Sequence, residues 1–293
     1  MLIRIRYTLL LLFFLMFLTP LNSIAQSIND KIVRVAVIGG MVYADLWREI
    51  AKRFEKESGY DVKVVVSGER PELKEAMELG NVDLLTMHSG DITTDLVADG
   101  HGINMRPWTR NDLVIWGPSS DPAGIRGMKN GAAALAKIAS TQAAWIDFQG
   151  IGPREMAHNL WRRAGIKPAG DWVLKDDLGG GRDFLQQVAD RNAYIITGRM
   201  PVYVGKWKAN DKMTILVDQD PTMRRPYIVM ETNPVRHPNV NHQGAKALAD
   251  FLLSEEIQTF LAQYDGVVKD GRPLFYPVWP YGELENHDHL TKN

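Results

Sequence analysis

The chain has 293 residues, 45% of them hydrophobic, with 34 Lys and Arg against 35 Asp and Glu and no cysteine. This composition excludes a disordered, collagenous or disulfide-stapled chain, and the length suits one large or two medium domains with a sizeable core. The missing cysteines exclude thiolate catalysis, Cys-ligated zinc, iron–sulfur clusters and a lipid on an N-terminal cysteine. The near-balanced charge offers no electrostatic footprint for nucleic acid.

The chain opens with Arg4 and Arg6, an apolar run from Leu9 to Leu18, Pro20, and the small-residue end Ser23, Ile24, Ala25. That is the pattern of a secretory signal, and the run is shorter than the roughly 20 apolar residues a spanning helix needs. Cleavage after Ala25 makes Gln26 the first mature residue and moves the net charge from −1 to −3 by removing the two arginines. No later stretch is long and apolar enough to span a bilayer, so the expected location is the periplasm.

Ile32 to Ile38 reads as a buried strand ending in Gly39 and Gly40, after which Leu46, Trp47, Ile50 and Phe54 recur at helical spacing up to a stop near Ser58 and Gly59. Val62 to Val66 forms the next strand, which predicts a βαβ start with parallel pairing and a right-handed crossover. Further strands are predicted at Val82 to Met87, Leu113 to Trp116, Ala193 to Thr197, Met213 to Val217 and Tyr227 to Glu231. Helices are predicted at Pro71 to Glu78, Gly131 to Ser140, Arg154 to Ala164, Arg182 to Asn192 and Asn241 to Leu253. This alternation predicts an α/β fold. Pro and Gly punctuation around Gly117 to Gly124 and around Pro226 to Pro234 marks two changes of lobe. The expected division is a signal at 1–25, a discontinuous lobe 1 at 26–115 plus 228–293, and lobe 2 at 116–227.

Sheets of this type bind ligands at the carboxyl ends of their strands, where main-chain N–H groups and helix starts face outward. The turn after the first strand offers Gly39, Gly40 and Met41; the second offers Gly68 and Arg70; the third offers His88, for which a structural role is the alternative. In the second half, Gln149, Gly152 and Arg154 open a helix with Pro153 in its first turn, and Arg199 follows the strand that ends at Thr197. Glycine amides and guanidinium groups of this kind suit an anion. The glycine-rich stretch Asp176 to Arg182 lacks the Lys and Ser/Thr of a P-loop, and a helix cap accounts for it. No Gly-x-Ser-x-Gly elbow or His-Glu-x-x-His helix is present, so no catalytic residue, metal or cofactor is assigned. His287 and His289, beside Glu285 and Asp288, read as a polar tail, and Tyr43 is an aromatic placed to line a pocket.

Six stretches together resemble the periplasmic tungstate-binding proteins of ABC importers: Arg53 to Val65, Asn111 to Pro118, Asp121 to Ile125, Leu160 to Ile166, Asn233 to Pro238 and Pro273 to Pro277. The resemblance implies a two-lobed periplasmic-binding-protein fold of the second type, an anion in the interlobe cleft, and delivery to an ABC permease in the inner membrane. It implies no enzymatic activity and no nucleic-acid partner, and a monomer is expected. Where that family carries a Thr/Thr/Thr/Ser run after the first strand, this chain has Val37, Ile38, Gly39 and Gly40. Where the family has an arginine and then an acidic, Ser-Gly-Thr loop, gapless alignment places Asp147, then Gly150, Ile151, Gly152 and Pro153. Arg199 matches the arginine of the family's Thr-Asp-Arg segment, while Arg154 and Arg70 are available as substitute charges. The ligand is expected to be a tungstate-like oxyanion or an organic anion. The missing hydroxyls favour the second, with its apolar body against Val37, Ile38, Met41 and Ile151. Alternatives are a periplasmic sensory or accessory binding protein, or an enzyme built on His88, Ser89 and a carboxylate.

Overall fold

The computed structural model describes residues 31–266 and 272–281. The export signal, the first mature residue Gln26 and the tail histidines His287 and His289 lie outside the described residues. In chain order the elements are β1 (Ile32–Ile38), α1 (Gly39–Tyr43), α2 (Leu46–Ser58), β2 (Asp61–Gly68), α3 (Arg70–Glu78), β3 (Leu84–His88), α4 (Asp91–Ala98), β4 (Gly102–Asp112) and β5 (Val114–Pro118). They continue with α5 (Gly131–Thr141), β6 (Trp145–Asp147), α6 (Ile151–Arg163), β7 (Val173–Lys175), α7 (Phe184–Asp190), β8 (Ile195–Thr197), α8 (Met200–Tyr203), β9 (Met213–Val217), β10 (Arg224–Thr232), α9 (His242–Leu252) and α10 (Glu255–Gln263). Among the described residues no helix is long and apolar enough to cross a membrane.

The chain forms two compact units. Unit 1 takes the described residues up to Gly39, then Trp47–Arg106 and Val229–Ser254; unit 2 takes Gly40–Leu46, Pro107–Ile228 and the described residues from Glu255 on. The sequence placed the first break at 115/116 and the C-terminal residues in lobe 1. In this division residues 107–115 and the C-terminal segment group with unit 2.

Unit 1 holds a five-stranded sheet of order β2-β1-β3-β10-β4. β1 runs parallel to β2, with Ile38 opposite Gly68, and parallel to β3, with Val37 opposite Thr86. Its Val33, Val35 and Val37 are fully buried, as expected of a parallel strand with neighbours on both sides. α2 turns Trp47, Ile50 and Phe54 into the core, each worth about 1.5–3 kcal/mol when fully buried. Phe54 meets Phe251 of α9 with ring centroids 5.4 Å apart. Gly244 lets α9 approach β1, since a Cβ there would lie 2.7 Å from the Val33 side chain. The buried Asp83 carboxylate accepts from the Arg34 amide at 2.6 Å, from its guanidinium at 2.6 and 3.2 Å, and from the Asn241 amide at 2.8 Å. A carboxylate is tolerated in such a place because its charge is paired and its lone pairs are filled.

Unit 2 is built on the antiparallel sheet β8-β5-β9. Strand alternation sends Leu113 and Ile115 into one core and Val114 and Trp116 into another, so both faces of the sheet are covered. The first core gathers Leu135 and Ile138 of α5 with Leu160 and Trp161 of α6. The second gathers Phe184, Leu185 and Val188 of α7 with Ile146 of β6. Trp145 and Trp161 meet edge to face at 5.4 Å, and Phe184 stacks on Trp207 at 4.1 Å.

Every strand and helix predicted from apolar patterning is present, with limits shifted by a few residues. Others were not predicted. β4 contains Pro107 and a positive φ of 53° at Asn104, both unfavourable to a strand reading. β6 and β7 are only three residues long. α4 is rich in β-branched residues but is started by Thr93, whose hydroxyl accepts from the Gly90 amide at 3.1 Å. Gly39 and Gly40 are also not a loop: they begin the one-turn helix α1.

Candidate functional site

In unit 1 the three parallel strands β2, β1 and β3 end side by side. Ile38 lies opposite Gly68, and both Gly39 and His88 follow two residues after the Val37–Thr86 pairing, so the register aligns the turns that carry Gly39, Gly68 and His88. Arg70, at the start of α3, reaches toward the next turn: a Cβ on Gly90 would stand 3.6 Å from its Nη1. The structure therefore brings Gly68, Arg70 and His88 to one end of the unit 1 sheet. It also adds a residue that the sequence reading missed. A Cβ on Gly68 would overlap the carboxylate of Glu72, which folds back from the first turn of α3. A carboxylate there complements the partial positive charge of the helix start.

Gly40 and Met41 belong to the short segment that groups with unit 2. A Cβ on Gly40 would meet open space, whereas the Met41 side chain is fully buried. Val37 is likewise 0% exposed and Ile38 8%, while Ile151 is 57% exposed. Of the four side chains expected to flank an organic body, three are committed to the core. Tyr43 is 65% exposed.

In unit 2 the loop between β6 and α6 is held by acids on either side. The Gln149 amide N–H donates to Asp176 at 2.8 Å, and its side-chain nitrogen donates to the Asp147 carbonyl at 2.7 Å and to the Asp147 carboxylate at 3.1 Å. Asp147, which stands where the family resemblance has an arginine, is thus engaged with its own loop. Arg154 is exposed and its Nη1 lies 3.5 Å from Gln149 Oε1. Gly152 is buried at the opening turn of α6, and a Cβ on it would overlap the guanidinium of Arg225 from the start of β10. The N-cap Gly150 makes no side-chain cap bond, and the first turn of α6 carries no acid. The structure thus groups Gln149, Gly152 and Arg154, and it adds Arg225. The sequence signal for Arg225 was the pair Arg224 and Arg225 immediately before an apolar strand.

Arg199 sits between β8 and α8 and is 3% exposed. Its Nε donates to Asp112 at 3.0 Å, and its Nη2 donates to the Pro273 carbonyl and, at 3.3 Å, to the Tyr276 hydroxyl. Tyr276 in turn donates to the other Asp112 oxygen at 3.1 Å, and the Arg224 guanidinium lies 3.8 Å over the Tyr276 ring. Burial opposes the charge on Arg199, but the Asp112 carboxylate more than offsets this and holds its pKa above the ordinary value. Burial pushes the Tyr276 phenol up, and the Asp112 charge adds to it. The result is a fixed, buried Arg199–Asp112 pair at the end of β8, not a mobile surface arginine. Among the described residues no cluster of His, Asp and Glu has the arrangement of a metal site.

Comparisons with known proteins fit this geometry. Residues 33–264 match the family model for bacterial extracellular solute-binding proteins. The chain is 33% identical over 229 residues to the tungstate-binding protein TupA of Peptoclostridium acidaminophilum, covering 76% of this chain and 78% of that one. It is 31% identical over 230 residues to a Haloferax volcanii protein provisionally named an ABC transporter anion-binding protein, covering 76% of this chain and 65%, less than two thirds, of that protein's length. Among solved structures it matches TupA of Desulfovibrio alaskensis G20 with a TM-score of 0.71 at 25% identity, over 84% of this chain and 98% of that one. The expected α/β fold of the second periplasmic-binding-protein type is therefore the fold of this chain. The chain belongs to the family of bacterial extracellular solute-binding proteins.

Proposed function

We propose that the protein is the periplasmic solute-binding component of an ABC importer, that it takes a small oxyanion of the tungstate and molybdate kind, and that it performs no chemistry on it. The observation that carries this reading is the opening of α6, where a helix start without an acid in its first turn lies beside the guanidinium groups of Arg154 and Arg225. The names of the relatives point to the same ligand class: one is a tungstate-binding protein, the other an anion-binding protein of an ABC transporter.

An oxyanion is favoured over an organic anion because Val37, Ile38 and Met41 are buried and offer no apolar wall. In this reading Gln149, Gly152 and Arg154 serve the anion in unit 2, with Gly40 and Met41 acting through their main chain, while Arg199, held by Asp112, supports the unit. Main-chain and guanidinium donors replace the family's lost hydroxyls, since an oxyanion removed from water needs its charge met by several donors. The protein reaches the periplasm through the signal ending at Ala25, acts as a monomer, and hands its ligand to a membrane permease.

Isothermal titration of the purified protein with tungstate, molybdate, sulfate and phosphate tests the reading. Saturable binding of tungstate or molybdate is expected. No heat with any of the four would overturn it.

A further inference from the structure

We propose that the Asn130–Gly131 step is a deamidation site and that Asp220 holds it closed in the folded chain. It is the only Asn-Gly step in the sequence. With no Cβ on the following residue, nothing hinders the approach of its main-chain nitrogen to the asparagine side chain. The reaction is a ring closure. The Gly131 nitrogen gives up its proton and bonds to Cγ of Asn130, the Cγ–Nδ2 bond breaks, and the side-chain nitrogen leaves as ammonia with that proton added. Water then opens the cyclic imide at one carbonyl to give aspartate, or at the other to give isoaspartate. Asn130 is exposed, so water reaches it.

The fold withholds both partners of the new bond. Asn130 is the N-cap of α5, and its Oδ1 accepts from the Ala133 amide at 2.9 Å, which turns the side chain toward the helix. The Gly131 N–H has no partner within the helix and donates at 2.7 Å to Oδ2 of Asp220, a residue 5% exposed. The other oxygen of Asp220 accepts from the Thr222 amide at 2.8 Å, so the carboxylate is fixed in place. Its charge opposes the negative charge that the Gly131 nitrogen takes on when it loses its proton. Packing keeps glycine at 131, since a Cβ there would stand 2.8 Å from Met223 Sδ and 3.0 Å from Leu160 Cδ1. The reactive step therefore sits where the core demands glycine and the cap favours asparagine. Aspartate at 130 would keep an oxygen for the Ala133 amide, whereas isoaspartate adds a carbon to the main chain and carries the cap away.

The test follows the tryptic peptide from Asn130 to Lys137 by mass spectrometry while the protein is incubated at mildly alkaline pH. The samples are the folded wild type, the wild type unfolded in guanidinium chloride, and the folded variants Asp220→Ala and Asp220→Asn. Asn210, in the peptide from Ala209 to Lys212 of the same unit, is followed alongside as a clock for general loosening. The folded wild type is expected to deamidate at Asn130 more than about fivefold more slowly than the unfolded chain. Asp220→Ala is expected to raise the folded rate by more than about threefold with the rate at Asn210 unchanged. Asp220→Asn, which keeps an acceptor oxygen but loses the charge, is expected to raise it by more than about twofold, and it decides the question if Asp220→Ala does not fold. A smaller difference between folded and unfolded wild type, a smaller rise in the deciding variant, or a rise shared equally by Asn210 would overturn the proposal.

Discussion

Two glycines, one in each unit, are covered by side chains of opposite charge. At the end of β2, Gly68 leaves room for the Glu72 carboxylate; at the start of α6, Gly152 leaves room for the Arg225 guanidinium. Both lie where α/β sheets offer ligands a place, and neither has the positive φ that would by itself demand glycine. The first sets an acid from the first turn of α3 beside a helix start whose partial positive charge it complements. The second places a guanidinium beside a helix start that has no acid in its first turn. Similar strand-to-helix turns can thus be crossed by side chains of either sign, each given room by a glycine.

The largest expected effect concerns the buried ion pairs that support each unit. Arg199→Ala would leave the 4%-exposed Asp112 unpaired and should cost about 3–5 kcal/mol in urea unfolding. Arg34→Ala should cost less, about 1–3 kcal/mol, because Asp83 keeps the backbone amides of residues 34 and 241. Equal losses would show that the pair in unit 2 is no more committed than its counterpart.

The glycines themselves come next. Gly152→Ala should weaken oxyanion binding about tenfold, whereas Gly68→Ala should change it by no more than about threefold, because the exposed Glu72 side chain can swing aside. Calorimetry on the two variants would break the contrast if the order were reversed.

The smallest effect belongs to a histidine pair in unit 1. His101 Nδ1 and His237 Nε2 are 3.1 Å apart with stacked rings, and burial, then the neighbouring His101 and Arg236, lower the pKa of His237 below its ordinary 6.5. The folded state therefore binds fewer protons than the unfolded chain just below that value. Stability should be full above about pH 6.5 and decline as the pH falls toward the lowered pKa. His237→Gln should flatten the drop in melting temperature between neutral and mildly acidic pH, and an unchanged slope would remove His237 as its cause.

Much of this was legible in the sequence because apolar runs report burial directly. The run from Ile32 to Ile38, the spacing of Leu46, Ile50 and Phe54, and the glycines after each strand placed β1, α2 and the aligned turns of unit 1. Elements whose stability comes from context were not legible: β4 with its proline, and α10, which Ser254, Glu255 and Glu256 announce by their chemistry more than by periodicity. The site divided in the same way. Arg154 was visible as a charge near a helix start, but whether Arg199 was exposed or locked to Asp112 depended on a contact 87 residues away along the chain. The closeness of Arg225 to Gly152 was equally hidden, because sequence spacing says nothing of which distant strand delivers a side chain to a turn. Glu72 is the exception: an acid in the first turn of a helix, four residues after the glycine it covers, carries a recognisable capping pattern.

The decisive measurement is a crystal structure of the protein grown with sodium tungstate, with the metal located by its anomalous scattering. A tungsten peak within about 5 Å of the Gly152 amide, at the opening of α6, is the expected result. A peak distant from that turn, in a protein shown by calorimetry to bind tungstate, would contradict it.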